Sequence, residues 1–199
     1  MDKNKILNVI SIIFMVFLAG IIFNIFYYKE YHAVLWICYT AILLIIVGIM
    51  RRNSSLILSQ VIILAIPDLF WIIDFFAILL TGNSPFALSV YVFQDNPFIK
   101  KFIAMQHLFT VPLALYAFIL INKKPSKYTP LVSLIEVSLF FFITRAFIQQ
   151  NINCVYQSCA NFSWGSYYPM TWFVTYFSII ILAYLILFFV FRFSNRKIS

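Results

Sequence analysis

Six long apolar runs, separated by short polar segments, divide this chain. They cover residues 6–28, 33–50, 56–82, 98–122, 128–150 and 167–191. Each is close to the roughly 20 residues a helix needs to cross a bilayer. The predicted fold is therefore all-α: a polytopic transmembrane bundle of about six spans, forming one domain over residues 1–199. The connections are a polar turn at 29–32, Arg51-Arg52-Asn53, a semi-polar segment at 83–97, a basic loop at 123–127 and a loop at 151–166. The first run follows Lys3 and Lys5, lacks a small-x-small cleavage site, and is expected to be a retained span.

Composition agrees with lipid as the solvent. The 199 residues are 64% hydrophobic and only 10% charged, against about 25% charged in soluble domains. The net charge of +8 does not indicate nucleic acid, because Lys and Arg sit at the ends of the apolar runs. Lys3, Lys5, Arg51, Arg52, Lys123, Lys124, Lys127 and the basic tail fall on one side, and Lys29, Lys100 and Lys101 on the other. Both termini are thus expected to be cytoplasmic, with the 83–97 and 151–166 loops outside. In an oxidising outer compartment Cys154 and Cys159 can form a disulfide; Cys38, mid-run, is expected to be inert.

Ionisable side chains inside the runs are costly in lipid and mark candidate sites. Asp74 lies eight residues before Gly82, roughly 12 Å below that end. His107 lies nine residues after Phe98, roughly 13 Å below the same surface, and Arg145 six residues before Asn151. The three are expected to share a depth and to meet, with Trp71, Asn151 and Asn153, in an outward-facing polar pocket. In a catalytic site, His107 would be the general base and Asp74 its orienting carboxylate. Arg145 would hold an anionic head group, with Trp71, Asn151 and Asn153 completing a substrate-binding set. Thr110 and Ser89 are the candidate hydroxyl nucleophiles. The bland alternative is an Asp74–Arg145 ion pair that only holds helices together. No motif points to a nucleotide, metal or redox cofactor, and no internal repeat of the transporter kind is visible.

Four short motifs occur in order: Pro67-x-x-x-Trp71-x-x-Asp74, His107-x-x-x-x-Pro112, Asn151-x-Asn153, and Tyr168-Pro169 at the start of the last run. Together they resemble a family of uncharacterised bacterial integral membrane proteins, over most of residues 56–191. More distantly the layout resembles the YwaF-like membrane proteins and their animal relatives, a transmembrane acyltransferase and the androgen-induced membrane hydrolases of fatty-acid esters. That resemblance implies His107 as the catalytic base, although Trp71 stands where the acyltransferase-like branch carries a Cys nucleophile. The resemblance, with the Lys, Asn and Ile usage, implies a bacterial inner membrane. The expected function is a membrane-embedded lipid hydrolase or acyltransferase, with membrane lipids as partners. The alternatives are a non-catalytic transporter or sensor of a small amphiphile, and a structural membrane subunit.

Overall fold

The computed structural model describes residues 2–159 and 168–195. Residue 167, the second part of the 151–166 loop and residues 196–199 lie outside the described residues. The described chain is helical, with no strand: α1 (Lys3–Tyr27), α2 (Ile37–Met50), α3 (Ser54–Thr81), α4 (Val90–Phe93), α5 (Phe98–Ala104), α6 (Gln106–Ile121), α7 (Thr129–Phe147) and α8 (Tyr168–Asn195). Short 3-10 turns occur at Tyr31–Leu35 and Ile152–Cys154.

Local chemistry sets the helix ends. Asp2 accepts a hydrogen bond from the Asn4 N–H, and Asn53 accepts one from the Leu56 N–H, so both act as N-caps. Gly82 closes α3 at φ 73°, and Asn122 closes α6 at φ 51°, the left-handed conformation that ends helices. Pro130 lies in the first turn of α7, where its missing N–H costs nothing.

Five stretches are long and apolar enough to cross a membrane, namely α1, α3, α7, Phe98–Ile121 and Tyr168–Phe191. The protein is a multi-pass helical membrane bundle. The expected second span, 33–50, is corrected. Trp36 is extended, at φ −64° and ψ 120°, and separates the 3-10 turn from a 14-residue α2. At about 1.5 Å per residue α2 is roughly 21 Å long, short of the roughly 30 Å hydrocarbon core. The cause is a distant side chain. Asn153 accepts a hydrogen bond from the Ile37 N–H at 3.0 Å and donates one to the Leu35 carbonyl at 2.7 Å. It thereby satisfies the backbone groups that the interruption frees. The expected fourth span is also modified: α5 and α6 follow one course, tightened at Met105 by 3-10-type bonds.

The central element is α3, which contacts α2, α6, α7 and α8, while α1 packs on α2, α5 and α6. At the basic end, Arg52 donates to Asn4 at 2.8 Å and the Ser126 N–H to Ser55 at 2.7 Å. Within the α3–α7 contact, Gln60 donates to Glu136 at 2.8 Å and Ser133 to the Ser59 carbonyl at 3.0 Å. These polar groups join helices.

The α2–α3 turn is tight enough to require a residue without Cβ. A Cβ added at Gly48 would sit 2.7 Å from Cγ1 of Ile57, which is fully buried. Gly48→Ala is expected to destabilise the bundle by about 1–3 kcal/mol. A lowered midpoint in SDS-induced unfolding would show it, and an unchanged midpoint would contradict this packing.

Candidate functional site

At the end opposite the basic one, the helices enclose a cavity of about 650 Å³. Its wall is mostly aromatic and aliphatic, including Trp36, Trp71, Trp172, Tyr176 and Ile179, and Cys38 also lines it.

The polar centre of the cavity is His107. Its Nδ1 lies 2.8 Å from Oδ1 of Asp68, one turn and a half before Asp74 along α3. Positions 68 and 71 share a face of α3 because three residues advance a helix by nearly one turn. Trp71 therefore stacks on the same imidazole, with ring centroids 4.9 Å apart and planes 33° apart. Asp68 is 3% exposed, and among the described residues its Oδ2 has no hydrogen-bond partner. With the Nδ1 proton donated to the carboxylate, Nε2 keeps a free lone pair. Among the described residues nothing hydrogen-bonds to Nε2. The arrangement is an oriented imidazole with an open basic nitrogen in a largely apolar chamber.

Beyond Trp71 lies Tyr91, on α4. The indole Nε1–H donates to the Tyr91 hydroxyl at 3.2 Å. The Tyr91 ring is partly exposed, but the hydroxyl end faces inward, and its desolvation pushes that group above the ordinary tyrosine range. The Trp71 N–H opposes this shift more weakly. Tyr91 therefore keeps its proton at neutral pH and can donate it.

Asp74 is not the partner of His107. Its Oδ1 accepts from Ser84 Oγ at 2.7 Å and the Phe86 N–H at 2.8 Å. Its Oδ2 accepts from the Leu88 N–H at 2.9 Å and from Ser89 through N–H at 2.8 Å and Oγ at 2.9 Å. Asp74 thus anchors the segment after α3, which folds back against that helix and supplies Phe86, Ala87, Leu88 and Tyr91 to the cavity wall. The depth reckoned from Gly82 was misleading for this reason. The last turns of α3 stand beside the returning segment, and the level of His107 meets Asp68.

The remaining expected members are also separate. Arg145 lies outside the cavity and makes no ion pair with Asp74. Its guanidinium sits 5.3 Å from the Phe141 ring centroid and 5.1 Å from that of Tyr156, beside an open groove between α7 and α8. Asn151 is committed to its own loop, accepting from the Tyr156 and Gln157 N–H groups. Asn153 is committed to the start of α2, and its carbonyl accepts from Trp172 and Tyr176. Ser89 is held by Asp74, and Thr110 donates to the Gln106 carbonyl at 2.8 Å. Of the expected pocket residues, His107 and Trp71 line the cavity. Cys154 and Cys159 are joined in a disulfide that borders it.

A second polar group, at the cavity's edge, has no counterpart in the sequence expectations. Glu30 accepts from Lys100 Nζ at 2.5 Å and from Asn24 Nδ2 at 3.2 Å. The signal available was Asn24, a polar residue late in the largely apolar first run. Among the described residues, no group of three or more His, Cys, Asp or Glu could hold a metal ion. Comparison with known proteins adds no relative: no family model, no curated protein and no solved structure matches this chain.

Proposed function

We propose that this protein is a membrane-embedded hydrolase of lipid esters in which His107 is the general base. The observation that carries the proposal is the His107–Asp68 pair, made through Nδ1, on a side chain that lines a largely apolar cavity of about 650 Å³. Nε2 takes a proton from water, and the hydroxide formed attacks the ester carbonyl. Asp68 holds the tautomer and stabilises the imidazolium. Tyr91, kept protonated, donates to the developing oxyanion. The acyl C–O bond then breaks, and the imidazolium returns its proton to the leaving alkoxide. The products are a fatty acid and an alcohol. The distant family resemblance names the same base. The basic end is cytoplasmic in this account, and the cavity opens toward the outer leaflet of a bacterial inner membrane.

A second reading, amphiphile binding without chemistry, is favoured by one specific fact. Among the described residues no hydroxyl or thiol is hydrogen-bonded to His107, so the hydrolase reading uses water as its nucleophile. One experiment separates the two. Purified protein in nanodiscs of mixed lipid extract should release free fatty acid, and the His107→Ala variant should not. A lipid retained by the wild type with no product released would leave the binding reading in front.

A further inference from the structure

The cavity's edge indicates which head group it accepts. Seven residues separate Lys100 from His107 along the nearly continuous α5–α6 course, about 10 Å of axial rise. The Lys100–Glu30 pair therefore stands about two turns outward of the proposed base. Both side chains are partly exposed, at 30% and 32%, and both line the cavity. Lys100 also lies over the Tyr28 ring, 5.1 Å from its centroid.

Asn24 supplies the independent clue. It is 3% exposed and lines the cavity. Its Nδ2 donates to Glu30, which fixes the amide orientation, and the remaining Oδ1 is buried without a partner among the described residues. A buried acceptor of this kind costs stability unless a donor reaches it. Beside it stand one carboxylate and one ammonium of opposite charge. A net anionic head would leave Glu30 facing no cation, and a net cationic head would leave Lys100 facing no anion. A zwitterion matches both. Its cation must carry N–H groups, because a quaternary ammonium has none to offer Asn24 Oδ1 or Glu30.

We infer that the Asn24–Glu30–Lys100 cluster selects an amphiphile with a phosphoethanolamine-type head, the phosphate on Lys100 and the primary ammonium on Glu30 and Asn24. The inference rests on the lipid-cavity reading above and names the substrate class for that site. The resting ion pair opens, and each member exchanges its partner for the opposite charge of the head group. The ester linkage lies deeper, toward His107.

Binding tests this independently of hydrolysis. Trp36, Trp71 and Trp172 line the cavity, so their fluorescence can report occupancy. Ether-linked lysophospholipids, which carry no ester to cleave, would be titrated with ethanolamine, choline and glycerol heads on one alkyl chain. Glycerophosphoethanolamine would serve as the chain-free head. The ethanolamine lipid is expected to bind about tenfold more tightly than either other lipid, a difference of about 1.4 kcal/mol. Glu30→Gln is expected to erase that preference, and His107→Ala to keep it. Equal affinity for the three lipids, or tighter binding of choline or glycerol heads, would overturn the inference. So would a full preference surviving Glu30→Gln. If Glu30→Gln does not fold, the wild-type series decides alone. Equal binding of the chain-free head would assign the cluster to a soluble zwitterion and overturn the lipid. A head-group preference without fatty-acid release would retain this inference and remove the hydrolase.

Discussion

Asp74→Ala is expected to destabilise the protein by about 4 kcal/mol, a large effect for one side chain. The carboxylate is fully buried and accepts five hydrogen bonds from Ser84, Phe86, Leu88 and Ser89. Three of the donors are backbone N–H groups of a segment with no regular structure of its own between Gly82 and α4. Removing one acceptor leaves several donors unpaired, each at about 1–3 kcal/mol, and water at the segment's exposed positions recovers part of that. Asp74→Asn is expected to lie between, because its NH2 would face N–H donors. The measurement is the unfolding midpoint in SDS, with protease cleavage within 83–89 as the local readout. An alanine variant as stable and as protease-resistant as wild type would show that Asp74 does not hold this segment.

The second large effect concerns the proposed base. Asp68→Asn is expected to lower fatty-acid release about 10³-fold, within the range of general-base contributions. The change is nearly isosteric, and its consequence is a proton in the wrong place. An asparagine NH2 can donate to Nδ1, which moves the imidazole proton to Nε2 and removes the lone pair the reaction needs. The distinguishing sign is retained lipid binding with lost turnover. A variant that binds and turns over as wild type would remove Asp68 from the mechanism.

The architecture was legible because lipid imposes one requirement on every span: about twenty apolar residues in a helix. It failed where a side chain from elsewhere intervened. Nothing in residues 33–50 signals that Asn153 will satisfy the backbone at Leu35 and Ile37 and so shorten α2. Of the expected pocket, the sequence places His107 and Trp71 together, and both line one cavity. Its carboxylate was misassigned because depth was measured along straight helices from loop boundaries. The fold-back on which Asp74 is spent, and the lower level at which α6 meets α3, leave no mark in loop boundaries. Arg145 illustrates a third limit: an arginine near a span end can be accommodated by aromatic rings, here Phe141 and Tyr156, with no carboxylate partner. The Glu30–Lys100 contact joins residues 70 apart across two polar connections, and no pattern in either predicts it.

The most direct test of the account is a single-turnover reaction in ¹⁸O-labelled water, in nanodiscs of ester phospholipid, with wild type beside His107→Ala. The account predicts free fatty acid from the wild type alone, carrying ¹⁸O in its carboxyl group, because the attacking oxygen comes from water deprotonated by His107. Fatty acid released equally by both proteins, or by neither, would contradict it.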